Sequence, residues 1–407
     1  MIGDRRRIVL LGSTGSIGAN TLDVLQHLRA TGAMDVEVVG LAAGRRVDEL
    51  AEQANAWGVK RLAIGDATLA DRLRSLVPGA TVFAGPDAAA ELVAETDDAT
   101  DLVAAMVGSA GLSATLTAIQ RGWRIGLANK ETLVAAGELV MPAVARHDAE
   151  LLPIDSEHSA IHQCLAGSQR PAEEVRRLVL TASGGPFRTW DADRIAEATV
   201  EQALDHPTWN MGPKITIDSA TMTNKALELI EAHWLFDLPA DQLDVIVHPQ
   251  SVAHSFVEFV DGSVLAQLGP PDMRTPIQYA LTHPHRAEGC SRSMDWAALS
   301  GLTFEPPDHD RFPALRMAYR VIEAGGTAGA VFNAANEAAV AAFLDRRIRV
   351  GDIARLTEGA FDALGHRPIT SVDDVLNADR AARVWVDDAL LAADRPPVAG
   401  DPTIARR

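Results

Sequence analysis

Short apolar runs recur through the first 150 residues at intervals that leave room for a helix between them. Ile8–Leu11, Val36–Leu41, Arg61–Ile64, Asp101–Met106 and Arg124–Ala128 have the length and character of strands covered on both faces. After the first run, Leu22, Leu25 and Leu28 repeat at helical spacing. Strands alternating with helices predict an α/β domain over residues 1–150, built on a parallel sheet with right-handed crossovers. A second pattern opens at Leu151–Ile154. Arg177–Thr181 and Leu243–Val247 read as strands, and Ser255–Val260 and Ser263–Leu268 flank Asp261-Gly262, a two-residue hairpin signature. Residues 151–290 are therefore expected to form an α+β domain whose antiparallel edges could pair a second subunit. Residues 291–313, rich in Pro, Ser and Asp, read as a linker. Residues 314–394 are Ala-rich and helical in period (Val331, Ala335, Ala338, Ala342), and 395–407 read as a flexible tail.

Composition narrows the class. A chain of 407 residues exceeds what one core usually spans, and a hydrophobic fraction of 47% with 23% charged residues is ordinary for a globular protein. No apolar run reaches the roughly 20 residues a bilayer requires, and Met1–Arg7 leads into a strand without a signal-peptide core. Cys164 and Cys290 sit far apart and in no ligand spacing, which suits a reducing cytoplasm. A net charge of −18 repels nucleic acid and anionic membrane, so an anionic ligand must meet a local cluster of donors.

Gly12-Ser13-Thr14-Gly15-Ser16-Ile17-Gly18 follows the first strand. Small residues there let the backbone approach a pyrophosphate, with helix amides from Ser16 onward turned toward it. The plainer alternative is a tight strand-to-helix turn. The second strand ends in Gly44-Arg45-Arg46, where an NAD site usually places a carboxylate; two arginines favour a 2′-phosphate and hence NADP(H), against a merely solvated basic turn. Asn129-Lys130-Glu131 alone reads as the solvated start of a helix; its position beyond a strand end directs Asn129 and Glu131 toward the cofactor and Lys130 toward substrate.

Asp155, Glu157 and Glu228 offer three carboxylates without a His or Cys partner, a set that suits Mg²⁺ or Mn²⁺ rather than zinc. On an extended backbone Asp155 and Glu157 share a face; on a helix Asn224, Lys225 and Glu228 are neighbours. Taken separately, these residues also fit an acidic helix start and a surface ion pair. Ser183, in Thr181–Pro186, and Ser219, in Ile217–Thr223, join Asn224 and Lys225 as a candidate phosphate cradle. Between them His206–Lys214 carries Trp209, two prolines and a glycine. It reads as a lid over ligand, or else as an irregular connection whose Trp covers the core. His248 and His254 are read as structural.

Together, Gly12–Gly18, Leu127–Glu131, Pro153–His158, Thr181–Phe187, His206–Lys214 and Ile217–Glu228 resemble the 1-deoxy-D-xylulose 5-phosphate reductoisomerase family in order and spacing, over residues 8 to about 345. The resemblance implies a Rossmann-like NADPH-binding domain, a catalytic domain and a C-terminal helical domain, in a homodimeric cytoplasmic enzyme of isoprenoid biosynthesis. Its substrate would be a small phosphorylated sugar, with no nucleic-acid or membrane partner. By this resemblance Asp155, Glu157 and Glu228 bind a divalent metal (Mg²⁺ or Mn²⁺, with Co²⁺ a further candidate). Lys130, Ser156, Glu157, Ser183, His206, Trp209, Ser219, Asn224, Lys225 and Glu228 contact substrate, with Lys130 and the three acids catalytic. Thr14, Gly15, Ser16, Ile17, Gly44, Arg45, Arg46, Asn129, Glu131 and Gly212 contact NADPH. The chain departs from many relatives at Arg45-Arg46, where Lys-Asn is common, and at Ala226, where a glycine is common. The alternatives are a metal-independent NADP-dependent sugar or semialdehyde dehydrogenase and a non-catalytic NADP-binding sensor.

Overall fold

Four consecutive apolar side chains, Ile8–Leu11, are fully buried in the first strand, β1 (Arg6–Leu11), which places it in the middle of a sheet covered on both faces. The computed structural model describes residues 5–108, 111–209 and 211–393; the expected tail, 395–407, lies outside the described residues. Beside β1 run β2 (Val36–Ala43), β3 (Arg61–Ile64), β4 (Thr81–Ala84), β5 (Asp101–Ala104), β6 (Arg124–Leu127) and β7 (Glu150–Pro153). All pair in parallel in the order β4-β3-β2-β1-β5-β6-β7. The helices between them are α1 (Ser16–Ala30), α2 (Val47–Trp57), α3 (Ala70–Leu76), α4 (Ala88–Ala94), α5 (Leu112–Gln120) and α6 (Glu131–Arg146).

Two strands differ from expectation. The run at Leu151–Ile154 does not open a second pattern: β7 pairs with β6, Leu127 opposite Pro153, and closes the first sheet. Strand β4 gave no clear signal because it is a half-exposed edge of four residues. Strand order reverses at β1, whose neighbours are β2 and β5, so a crevice opens beyond their carboxyl ends. The glycine loop sits at that crevice. Gly12 has φ +79°, and a Cβ there would lie 2.4 Å from the Ala105 carbonyl oxygen. A Cβ on Gly18 would fall 2.3 Å from the Gly12 oxygen, so only glycine lets α1 begin this close to the loop.

After α7 (Ser156–Leu165) and α8 (Pro171–Glu174) comes a second sheet. It contains β8 (Val175–Ala182), β9 (Leu243–Val247), β10 (Ala253–Phe259) and β11 (Val264–Leu268), in the order β11-β10-β8-β9. Only the β8–β9 pairing is parallel. The β10–β11 turn is not the expected two-residue loop: Phe259 N–H donates to the Ser263 carbonyl at 2.8 Å, which leaves three residues between them. Gly262 takes φ +88°. This is the form in which a left-handed residue completes the turn beside a bulge.

Between β8 and β9 run α9 (Ala192–Ala196), α10 (Val200–Leu204), α11 (Pro213–Ala220) and α12 (Thr223–Phe236), and α13 (Arg274–Thr282) follows β11. Helix α12 is buried on almost every side and packs against α6. The stretch read as a linker is tied down: Val247 and Glu305 exchange backbone hydrogen bonds, and Arg311 donates to the carbonyls of Arg188 and Trp190. Helices α14 (Ala314–Ala324), α15 (Ala328–Leu344), α16 (Val350–Leu364) and α17 (Val372–Ala393) complete the chain. Among the described residues no helix is long and apolar enough to cross a membrane.

Candidate active site

Asp155 is the N-cap of α7, yet its side chain caps nothing; it turns instead to Lys130, 2.7 Å away. Glu157 lies in the first turn of the same helix. The pair therefore does not share an extended backbone as expected. The helix starts at Ser156, and the two carboxylates converge because Asp155 leaves the helix amides for the lysine. From α12, Asn224, Lys225 and Glu228 face them across one turn. Lys130 Nζ lies 2.8 Å from both Asn224 Oδ1 and Glu228 Oε1. Lys225 Nζ lies 2.7 Å from Glu157 Oε1 and also donates to Glu228. Ser156 Oγ donates to Glu157 at 2.5 Å.

Burial makes these charges strongly interdependent. Desolvation opposes the charge on Lys130, but Asp155 and Glu228 outweigh it and hold its pKa well above the ordinary lysine value. Desolvation likewise opposes Lys225, and Glu157 and Glu228 raise it. Asp155, despite its burial, is held far below the usual carboxylate range by Lys130. Burial, then the charge of Glu228, pushes Glu157 up to about 8. Three carboxylates thus share two ammonium groups, and Glu157 is the acid left short of positive charge. One oxygen from each of Asp155, Glu157 and Glu228 falls within 4.8 Å of the others. An all-oxygen set with surplus negative charge fits a hard divalent cation. A second group, Asp155, His158 and Glu231, meets the same distance limit, but His158 and Glu231 are fully buried behind the first set and do not line the cleft.

The proposed phosphate cradle converges on His206. Its Nε2 lies 3.1 Å from Ser183 Oγ and 3.0 Å from Ser219 Oγ. Its Nδ1 accepts from the amides of Thr208 and Trp209, at 3.1 and 2.9 Å. Burial lowers the pKa of the ring, and with Nδ1 an acceptor the neutral form carries its proton on Nε2, aimed at the serines. The same two bonds to Nδ1 set the path of the segment that leaves His206. Gly185, at φ +63°, would place a Cβ 2.6 Å from the Ser219 carbonyl, so the turn after β8 can close on α11 only as glycine.

The acids, the lysines and the two serines face one cleft, open to solvent, with about 1140 Å³ of empty space counted out through its mouth; His206 meets it only through Ser183 and Ser219. Its lining includes Lys130, Asp155, Ser156, Glu157, Ser183, Trp209, Gly212, Ser219, Asn224, Lys225 and Glu228, and also Ser16 and Ile17 from the start of α1. The acids and the last turn of the glycine loop, where α1 begins, are therefore on the same cavity. Of the other expected site residues, Asn129, Glu131, His206, Thr14, Gly15, Gly44, Arg45 and Arg46 are not in this lining; the last five cluster at the ends of β1 and β2. Arg46 donates to the Thr14 carbonyl at 2.9 Å, and Arg45 pairs with Asp66 at 3.1 Å. Asn129 donates to the Gly108 carbonyl at 2.9 Å, and among the described residues its buried Oδ1 has no partner, an acceptor that a nucleotide amide or hydroxyl would satisfy. Glu131 faces Lys214 at 2.9 Å. His248 holds the Thr303 carbonyl and the Val252 amide, a structural role. His254, read as structural, instead lines the cleft with Met211, Met222, Ser251 and Met273. Those methionines and the serine carry no sequence signal, because apolar walls and single hydroxyls look like any core position or loop.

A dinucleotide-type crevice opening onto an acid cluster, with a Trp-bearing segment beside it, is the arrangement of an α/β oxidoreductase with a candidate cation site. The model of the 1-deoxy-D-xylulose 5-phosphate reductoisomerase family matches residues 8–137, and two models of its C-terminal domains match 151–236 and 268–385. The reductoisomerase of Chlorobium chlorochromatii is 52% identical over 93% of this chain and 98% of its own length, and that of Zymomonas mobilis is 47% identical over 93% and 96%. Among solved structures, the Zymomonas mobilis enzyme in complex with NADPH superposes with TM-score 0.87 at 44% identity, over 96% of this chain and 99% of that one. A reductoisomerase in complex with NADPH, fosmidomycin and magnesium gives 0.90 at 37%, over 96% and 99%. The chain belongs to the 1-deoxy-D-xylulose 5-phosphate reductoisomerase family and is an enzyme.

Proposed function

We propose that the chain converts 1-deoxy-D-xylulose 5-phosphate into 2-C-methyl-D-erythritol 4-phosphate in isoprenoid biosynthesis, using NADPH and a divalent cation. A carbon–carbon bond of the ketose phosphate is broken and re-formed to give an isomeric aldehyde. Hydride from NADPH and one proton then reduce that aldehyde to the alcohol. The observation that carries this reading is the shared cleft: Asp155, Glu157 and Glu228 face the start of α1 across one cavity, with Lys130 and Lys225 between the acids.

Asp155, Glu157 and Glu228 would hold the cation, which supplies Lewis-acid polarisation of the substrate's oxygens. Lys130 and Lys225 orient the carboxylates and screen their mutual repulsion. Ser183, His206, Ser219 and Asn224 place the phosphate, with His206 Nε2–H as a directed donor. Ser16 and Ile17 bring the N-terminal end of α1 to the cofactor side, and Trp209 with Gly212 closes the cleft against water. Arg45, the more exposed of the arginine pair, is the candidate for the 2′-phosphate; Arg46 fastens the glycine loop. The chain acts as a homodimer through the outer edge of β11, where Val264, Leu265 and Leu268 are exposed. The neighbours' complexes with NADPH and magnesium support the cofactor choice.

The test follows NADPH absorbance with purified protein and 1-deoxy-D-xylulose 5-phosphate, with Mg²⁺ or Mn²⁺ supplied or chelated. Consumption only with metal is expected. Metal-independent, reversible oxidation of an alcohol would instead favour a simple dehydrogenase.

A further inference from the structure

Lys214 is the second residue of α11, just after Gly212, where the lid rejoins regular structure. Its ammonium lies 2.9 Å from Glu131 Oε1 and 3.0 Å from Asp218 Oδ2. Glu131 opens α6 directly after Lys130. Asp218 lies one turn along α11, and its other oxygen accepts from Asn336 Nδ2 of α15 at 2.8 Å. Both carboxylates are buried, and Glu337 of α15, itself paired with Arg383 of α17, adds a third negative charge toward the same ammonium. One cation thus ties together the lid's exit, the helix that follows Lys130 and the C-terminal helices. Lys214 itself does not line the cleft, so it is not placed to touch substrate. Buried carboxylates sharing one ammonium hold a single arrangement, because any other leaves charge unpaired where water cannot reach it.

We propose that Lys214 is a positioning residue: it fastens the hinge of the lid to the nucleotide half of the cleft and so fixes where Trp209 closes over the sugar phosphate. The inference rests on the reading of residues 206–214 as a lid.

The test is a double-mutant cycle in the full chain, with KM for 1-deoxy-D-xylulose 5-phosphate, kcat and Tm measured for Lys214→Met, Trp209→Phe and both together. Each single change is expected to raise KM about tenfold, and the double change no further than the larger single, because an unfastened lid no longer delivers the indole. Lys214→Arg, whose guanidinium can still span both carboxylates, is expected to recover most of the loss. Effects on KM that multiply in the double variant, or an unchanged KM in folded Lys214→Met, would overturn the proposal. An unchanged KM for Trp209→Phe alone would remove the lid reading and this inference with it, whereas a multiplying pair removes only the fastening. Should Lys214→Met fail to fold, Asp218→Asn enters the same cycle under the same criterion, since it removes the charge of one of the two carboxylates that hold the ammonium while leaving Lys214 in place.

Discussion

Glu228 accepts from Lys130 and Lys225 at once and is almost completely buried. Removing its charge should free both lysines to neutralise Asp155 and Glu157, which lowers the attraction of the site for a cation. Glu228→Gln is therefore expected to weaken Mg²⁺ binding and reduce kcat by at least about a hundredfold, more than loss of an outer partner of a metal ligand usually costs. NADPH affinity should stay nearly intact, because the partners of this carboxylate among the described residues are Lys130, Asn224 and Lys225, none of them on the nucleotide side. Calorimetric titration with Mg²⁺ alongside steady-state kinetics checks both halves; wild-type-like magnesium affinity in the variant would take Glu228 out of the cation site. At this scale the donors were legible in the sequence, since acids at 155, 157 and 228 and the Asn-Lys pair at 224–225 name their own chemistry. His254 was not legible, because a lone histidine in a strand pattern looks the same whether it faces a core or a cleft.

Helices α6 and α15 touch through backbone. A Cβ on Gly329 would stand 1.8 Å from the Val134 carbonyl oxygen, a contact no side-chain rotation can relieve. Gly329→Ala should therefore push the C-terminal helices away from α6 and cost about 1–3 kcal/mol, read as a lower midpoint in urea unfolding. Helix α17 depends on a different device. Asp374 Oδ2 accepts from the amides of Thr370 and Ser371, both at 2.9 Å, and from their hydroxyls. These hydrogen bonds pull its pKa from the ordinary 3.8 down to about 2. Since the folded value is the lower one, the contribution is present in full above the unfolded value and is lost as pH falls from about 4 through about 2. The Tm difference between the wild type and Asp374→Ala should hold steady at neutral pH and shrink across that window; a constant difference down to pH ~2.5 would contradict it. The elements themselves were largely readable from periodicity. Strand β4 and the three-residue β10–β11 turn were not, because an exposed edge of four residues has no alternation to show and turn geometry depends on where the paired strands stop.

Across the whole molecule, β11 leaves an apolar outer edge, with Val264, Leu265 and Leu268 exposed beside the paired strands. Such an edge is a pairing surface unless something covers it. Leu265→Lys is expected to shift the protein from dimer to monomer in sedimentation velocity at micromolar concentration while leaving its circular dichroism unchanged. A variant that sediments as the wild type does would place any dimer contact elsewhere. The architecture explains why this edge and the active cleft coexist: β8 and β10 sit inside the second sheet, so the turn after β8 can serve the cleft while β11 faces outward.

What the chain determined by itself was local: apolar runs of strand length, a helical period, a glycine-rich turn after the first strand, and side chains whose donor atoms suit a cation, a phosphate and a dinucleotide. Each of these depends on residues close in sequence. Tertiary structure alone decided that β7 completes the first sheet, that Asp155 abandons its own helix for Lys130, that methionines and His254 wall the cleft, and that Lys214 binds Glu131 and Asp218 together. Those outcomes turn on which distant groups are forced into the same dry space, where an unpaired charge or an uncovered strand is too costly to persist, and spacing along the chain carries no record of that competition.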